Sequence, residues 1–114
     1  MKKQLLLSFL LTFVMLAAFT QDNPTVQIVN NTGYTVYYAY ISQTATDDWE
    51  EDVLGDKTLS DGEYVDVTLL YPLDVVNRYD VKLVDEDGDS YTKWDVRVTS
   101  NGVIEFTFDD YDQE

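Results

Sequence analysis

The sequence contains no cysteine and no histidine, and only two of its 114 residues are proline. The absence of cysteine excludes a disulfide scaffold and thiol catalysis, and the absence of both residue types excludes the usual zinc and iron sites. A Ser-His-Asp triad is excluded because the sequence has no histidine. A fold without these supports must be stabilised by its hydrophobic core, which a chain of this length can form as one modest domain.

Basic residues are also scarce. Seven lysine and arginine residues stand against 22 aspartate and glutamate residues, which gives a formal net charge of −15. A strongly acidic surface repels phosphate backbones and anionic lipid headgroups, so nucleic acids and anionic membranes are not expected as partners. Cations, basic proteins and neutral ligands fit this charge, whereas the simplest alternative is that the charge serves solubility alone.

Residues 1–20 have the pattern of a secretory signal peptide. Two lysines precede an apolar run over residues 5–18, and this run is shorter than the roughly 20 residues that span a bilayer. Cleavage before Gln21 would leave residues 21–114 as a single domain with a formal charge of −17, and cleavage before Phe19 is the alternative. We therefore expect a secreted or periplasmic protein that is not an integral membrane protein after cleavage. The other interpretation is an uncleaved anchor.

Beyond the signal segment, apolar and polar residues alternate with a period of two, which predicts β-strands. The segments with this pattern, or with apolar residues on both faces, are 26–28, 34–41, 65–69, 79–83, 94–98 and 104–108. Turn signals separate them at 30–33, 59–62, 87–88 and 100–102. We predict an all-β fold, a small antiparallel β-sandwich of about six or seven strands, with a small β-barrel as the alternative. The segment 34–41, apolar on both faces, is predicted to be a central strand.

The C-terminal half predicts a three-stranded meander. Asp87-Gly88 is typical of a two-residue hairpin turn, and this turn places Val81 opposite Trp94. The turn at residues 100–102 is then expected to be a three-residue loop with its glycine in the left-handed conformation. The side chains predicted to face the core from this meander are Tyr79, Val81, Leu83, Trp94, Val96, Val98, Ile104, Phe106 and Phe108.

The segment 43–62 lacks a clear strand pattern, and a bare loop of that length is uncommon in a small domain. We predict a short helix over residues 47–54, because acidic residues would fill its first turn and a glycine would end it. Trp49, Val53 and Leu54 are expected to pack this helix against the edge of the sandwich.

Three motifs occur in a fixed order along the chain. They are W-x-x-D-x-L-G at 49–55, L-x-x-G at 59–62 and Y-D-x-[RK]-x-V-D-x-D-G at 79–88, and they follow an N-N-T-G-Y turn at 30–34. In this combination the sequence resembles a loose group of small secreted bacterial β-rich proteins of unknown function. The resemblance covers nearly the whole predicted mature chain. It implies an exported β-rich fold and no particular activity.

Two acidic segments make calcium the one cofactor that the sequence suggests. Asp85, Asp87 and Asp89 cluster in the predicted hairpin turn, where clustered carboxylates suit a hard cation. The loop is not an EF-hand, because Gly88 comes one residue too early and the twelfth position lacks glutamate. The second segment could complete the site with Asp47, Asp48 and Asp52. The alternative is a solvated turn and a wet acidic surface.

An aromatic group suggests an interaction surface. Tyr37, Tyr38 and Tyr40 lie in one predicted strand, and Trp49 follows in the next segment. Exposed rings of this kind can stack on sugars or form a protein interface, whereas the alternative is that alternate members belong to the core. No feature selects a pair of carboxylates for hydrolysis. We therefore predict a non-enzymatic binding domain whose partner is a protein or a carbohydrate.

Overall fold

A computed structural model describes residues 23–113. The signal segment predicted at residues 1–20 lies outside the described residues. The strands are β1 Thr25–Asn31, β2 Val36–Gln43, β3 Tyr64–Thr68, β4 Arg78–Asp85, β5 Ser90–Arg97 and β6 Val103–Thr107, and a 3₁₀ turn at Phe108–Asp110 follows them. They form two three-stranded sheets around one core. The prediction of an all-β sandwich with six or seven strands is confirmed.

The chain crosses from one sheet to the other after every strand except β4, which forms a hairpin with β5. One sheet has the order β3-β1-β6 and the other has the order β2-β4-β5. The predicted antiparallel pairing holds for three of the four strand pairs, but β1 and β6 are parallel. The central strand of the second sheet is β4, so the prediction that the segment 34–41 forms a central strand was wrong: β2 is an edge strand.

The core lies between the inward faces of both sheets. Val26 and Ile28 of β1 are buried, as their alternation with polar residues predicted, and they lie beside Ile104 and Phe106 of β6. The opposite sheet contributes its own buried side chains, among them Val36, Ala39, Ile41, Tyr79, Val81, Leu83 and Tyr91. This interdigitated apolar layer is what stabilises a domain that has no disulfide.

The β4–β5 hairpin turns through three residues rather than the predicted two. The N–H of Asp85 donates to the carbonyl of Asp89 at 2.8 Å, and Gly88 has a φ of +84°. This is the three-residue loop in which glycine takes the left-handed position. The extra residue shifts the register by one, so Val81 lies opposite Lys93 instead of Trp94, and Tyr91 faces the core.

A β-bulge in β5 returns the register to the predicted one farther along the hairpin. Tyr79 lies opposite Val96, as the sequence predicted, so two residues of β5 oppose Asp80. The second of them, Asp95, has a φ of +55°, and its N–H donates to the buried carboxylate of Asp80 at 2.8 Å. Because the register is restored only beyond Trp94, this residue lies on the outer face with 66% of its surface exposed. The prediction that Trp94 belongs to the core was therefore wrong.

The predicted β4-β5-β6 meander was wrong beyond β5, because β6 pairs with β1 in the other sheet. At residues 98–102 the chain crosses from the β2-β4-β5 sheet to the β3-β1-β6 sheet. There the N–H of Asn101 donates to the carbonyl of Thr25, and Asn101, not Gly102, takes the left-handed conformation. Gly102 is needed for close approach, since a Cβ would lie 2.7 Å from Thr99 Oγ1. Phe108, also predicted in the core, is 53% exposed.

The predicted helix over 47–54 was also wrong. The segment 44–63 consists of turns and two isolated bridges to β2, at Tyr40–Asp52 and Val36–Leu59. Its backbone groups pair with the free edge of β2, which would otherwise remain open to another chain. Leu54 and Leu59 are buried, so the segment does pack on the sandwich edge, but as an extended cover. Across residues 23–113 no helix has the length and apolarity that a membrane crossing requires.

Candidate functional site

The outer face of the β2-β4-β5 sheet carries a group of aromatic side chains. Tyr38 and Tyr40 point outward from β2, because their neighbours Ala39 and Ile41 are buried in the core. Trp94 points outward from β5, two strands away. The alternation of side chains along each strand thus places rings on both sides of the central strand β4.

Trp49 joins these rings across the sheet. Ring centroids are 6.4 Å apart for Tyr38 and Tyr40, 6.3 Å for Tyr40 and Trp49, and 5.7 Å for Trp49 and Trp94. We call these four residues the aromatic strip. Their separations fall in the range in which aromatic side chains attract one another, so the strip is a connected surface rather than scattered rings.

The covering segment 44–63 holds Trp49 in this position. Asp52 accepts hydrogen bonds from the N–H groups of Ala39 and Leu54 at 2.8 and 3.0 Å, which ties the segment to β2 three residues after the tryptophan. The ammonium of Lys82, on the outer face of β4, lies 5.8 Å from the Trp49 ring centroid. This cation–π contact helps to hold the Trp49 ring over β4.

The strip remains accessible to a ligand. Trp94 is 66% exposed and Tyr38 is 47% exposed, whereas Tyr40 and Trp49 are half-buried. Its polar neighbours carry both charge signs, because Lys82 lies beneath it and Asp95 follows Trp94 on β5. Exposed aromatic rings with hydrogen-bonding groups at their edges can hold a ligand that has both apolar and hydroxyl-bearing surfaces.

The structure brings together three of the four residues that the sequence suggested for an interaction surface. Tyr38, Tyr40 and Trp49 belong to the strip. Tyr37 is the extra residue of a bulge in β2; it is exposed, and within the described part of the chain no ring contact joins it to the strip. Trp94 was missed, because its place on the outer face depends on the three-residue hairpin loop. That loop type, with glycine third, was the signal that could have identified it.

The acidic hairpin turn is a second, separate feature. One carboxylate oxygen from each of Asp85, Asp87 and Asp89 lies within 4.8 Å of the others. Within residues 23–113 no other group of three or more potential ligands is this close, and Asp47, Asp48 and Asp52 are not brought to it. Asp52 instead binds the backbone of the covering segment, and Asp47 and Asp48 are exposed.

Asp85 already has a structural role in this turn. Its Oδ1 accepts from the N–H groups of Asp87 and Asp89 at 2.9 and 3.0 Å, and its Oδ2 accepts from the Tyr91 hydroxyl at 2.9 Å. Burial, and then the hydrogen bond to the carboxylate, raise the pKa of Tyr91 far above its usual range. The buried Asp85 therefore shapes the loop, while the exposed Asp87 is free to meet a cation.

Comparison with known proteins addresses the fold alone. No family model matches the sequence, and no curated relative matches it either. The NMR structure of a protein from Eubacterium rectale is similar, with a TM-score of 0.52 and 15% identity over 75% of this chain and 80% of that chain. At this level of identity the similarity indicates a shared β-sandwich architecture, and function must be argued from the surface itself.

Proposed function

We propose that this protein is an exported, non-enzymatic binding domain that holds a neutral carbohydrate on the aromatic strip. The observation that carries the proposal is the unbroken series of ring contacts from Tyr38 to Trp94 on an exposed sheet face. Exposed apolar surface of this kind is unfavourable in water unless a ligand covers it, and its position on a rigid sheet gives the ligand a preformed platform.

Sugar rings suit this surface in shape and in charge. Each has a face of C–H groups that packs on an aromatic ring and a rim of hydroxyl groups that hydrogen-bond to nearby polar side chains. Lys82 can donate at the strip, and the carboxylate of Asp95 can accept. A neutral polysaccharide avoids the repulsion that the net charge of −15 would impose on a polyanion.

Affinity electrophoresis tests the proposal. The protein is run through native gels that contain neutral polysaccharides, namely cellulose derivatives, xylan, mannan or starch, and through gels that contain polygalacturonate. We expect retardation by at least one neutral polymer and none by the polyanion. Trp94→Ala should weaken that retardation by up to about tenfold, since one aromatic contact contributes about 0.5–1.5 kcal/mol.

Tyr64→Ala is the matched control for this experiment. Tyr64 is also an exposed aromatic residue, but it lies on β3 in the other sheet. Its removal should leave the retardation unchanged. Carbohydrate binding at the strip would be contradicted by an equal loss of retardation in Trp94→Ala and Tyr64→Ala. It would also be contradicted if none of the neutral polymers retarded the protein.

A second proposal rests on the acidic hairpin turn, where we propose a calcium site formed by Asp85, Asp87 and Asp89. Three carboxylate oxygens within 4.8 Å of one another repel, and a hard divalent cation would relieve that repulsion. Calcium at about 100 times its dissociation constant should then stabilise the protein by about 2.7 kcal/mol.

Thermal unfolding distinguishes specific binding of calcium from general screening. The midpoint is measured with EDTA, with millimolar calcium, and with sodium chloride of equal ionic strength. Asp87→Asn should abolish the calcium-specific rise, whereas Asp74→Asn, which removes the same charge from an exposed loop, should retain it. Equal responses to calcium and sodium would mean that the salts only reduce self-repulsion.

A further inference from the structure

A cavity lies between the two sheets at the end of β2. It has a volume of about 310 Å³ and an apolar wall formed by Ile41, Val67 and Leu69. This volume is at the lower end of the range of small-molecule sites, which is roughly 300–1,000 Å³. None of the four residues of the aromatic strip lines it, so the cavity is a feature separate from the carbohydrate surface.

One residue that lines the cavity has a buried polar group without a hydrogen-bond partner among the described residues. Tyr79 lines the cavity, only 4% of this residue is exposed, and its hydroxyl has no hydrogen-bond partner in the part of the chain that the structure describes. Buried tyrosine hydroxyls are normally paired, because an unpaired polar group loses its hydration without compensation. A ligand that hydrogen-bonds to this oxygen would supply the missing interaction.

Two neighbours that influence the Tyr79 hydroxyl electrostatically line the same cavity. Burial raises the pKa of Tyr79, and the nearby Tyr71 and Glu50 raise it further. Both neighbours also line the cavity. Tyr71 and Glu50 are exposed, so their side chains can rotate as a ligand enters.

The charge at the cavity selects among ligands. Glu50 and Glu51 line it, and no lysine or arginine does so among residues 23–113. An anionic ligand would meet two uncompensated carboxylates, whereas a cation would be attracted. A primary ammonium has three donors and can therefore bond to a carboxylate and to a phenolic oxygen together.

We propose that this cavity binds a small aliphatic primary amine. Its hydrocarbon chain lies against Ile41, Val67 and Leu69, and its ammonium donates to the Tyr79 hydroxyl oxygen and to the Glu50 carboxylate. The hydrophobic contact supplies most of the affinity, and the two polar contacts supply the preference for an amine. The site is independent of carbohydrate binding, so either proposal can fail without the other.

Titration with three ligands of matched length tests the proposal. Hexylamine, 1-hexanol and hexanoate are added to the protein near pH 7, and amide chemical shifts of residues 67–71 are followed by NMR. We expect saturable shifts with hexylamine, weaker binding of 1-hexanol, and binding of hexanoate at least about tenfold weaker than that of hexylamine. Hexanoate binding as tightly as hexylamine, 1-hexanol binding best, or no saturable shift would overturn the proposal.

Two variants locate the polar contacts. Tyr79→Phe should weaken hexylamine binding about tenfold, because it deletes one charge-assisted hydrogen bond. Glu50→Gln should weaken it by a comparable factor. Tyr64→Phe and Glu105→Gln are the controls, since these exposed residues do not line the cavity, and they should bind hexylamine like the unchanged protein. Unchanged binding by Tyr79→Phe would remove the basis of the proposal.

Discussion

Replacing Tyr79 by phenylalanine is expected to stabilise the protein, although it removes a polar atom from the core. The hydroxyl of Tyr79 is buried and has no hydrogen-bond partner within residues 23–113. Leaving such a group unpaired costs about 1–3 kcal/mol on folding, because its hydration is lost without replacement. The substitution deletes one oxygen and keeps the ring, so we expect the free energy of unfolding to rise by about 1 kcal/mol.

Tyr91 provides a matched control in the same sheet. It is fully buried, but its hydroxyl donates to the buried Asp85 carboxylate at 2.9 Å. Tyr91→Phe deletes a charge-assisted hydrogen bond and leaves a carboxylate oxygen without that partner. We therefore expect this variant to lose about 2 kcal/mol. Removal of the hydroxyl should thus raise the free energy of unfolding at Tyr79 and lower it at Tyr91.

Equilibrium unfolding in urea, followed by circular dichroism, measures both effects. The two variants should differ by about 3 kcal/mol, and in a domain of this size each kcal/mol moves the thermal midpoint by about 4–8 °C. Equal m-values are required before the midpoints are compared. If Tyr79→Phe lost as much stability as Tyr91→Phe, the reasoning would be refuted, because the Tyr79 hydroxyl would then make a stabilising hydrogen bond.

Two further predictions concern the bulge of β5 and alkaline pH. The Asp80 carboxylate accepts a hydrogen bond from the N–H of Asp95 and supports the bulge beside Trp94. Asp80→Ala should therefore lower the free energy of unfolding in urea by about 2 kcal/mol and alter tryptophan emission. Asp80→Asn keeps an acceptor oxygen and should cost less. The pKa values of Tyr79 and Tyr91 are raised on folding. The unfolded chain therefore loses these protons first, and stability should fall above about pH 10 by up to about 1.4 kcal/mol per pH unit for each tyrosine. Between about pH 9.5 and 11, the free energy of unfolding measured in urea should fall less steeply with pH for Tyr91→Phe than for the unchanged protein. An unchanged slope would contradict a raised pKa of Tyr91.

Local patterns in the sequence predicted the strands and much of the core. Alternation with period two placed Val26, Ile28, Val81 and Leu83 inside, and these residues are buried. Such alternation depends only on neighbouring residues, so it survives errors in topology. The all-β sandwich followed from the number of these segments and from the turn residues between them.

The pairing of strands depended on information that local patterns do not contain. Whether the hairpin turns through two or three residues reverses the face of every side chain between the turn and the bulge. Here the Asp85 carboxylate selects the longer loop by accepting two backbone N–H groups. Local patterns also could not predict that β6 pairs with β1. The strand β1 lies at the far end of the described chain, and the contact forms only in the folded state.

The predicted helix failed because a local preference competed with an unsatisfied strand edge. Residues 47–54 have acidic residues and a terminal glycine in positions that suit a helix. In the fold, the same segment lies beside β2, and the N–H of Val53 donates to the carbonyl of Ala39 at 2.7 Å. Pairing the edge strand satisfies the backbone of both segments, and an isolated helix of two turns is marginal in water.

The aromatic surface was predictable in composition but not in geometry. A tyrosine-rich strand and a nearby tryptophan indicated Tyr38, Tyr40 and Trp49 as a group. Their connection across the sheet required Trp94, whose exposure results from the hairpin loop. The residues on one side of the strip were therefore predictable, whereas Trp94 on the other side was predicted in the core.

Tryptophan fluorescence tests the central claim, carbohydrate binding at the aromatic strip, most directly. The chain has two tryptophans, Trp49 and Trp94, and both belong to the strip. Titration with the neutral polysaccharide that retards the protein should change the emission saturably, and Trp94→Phe should reduce both the change and the affinity. Binding that leaves tryptophan emission unchanged would contradict the claim, because the ligand would then lie on another surface.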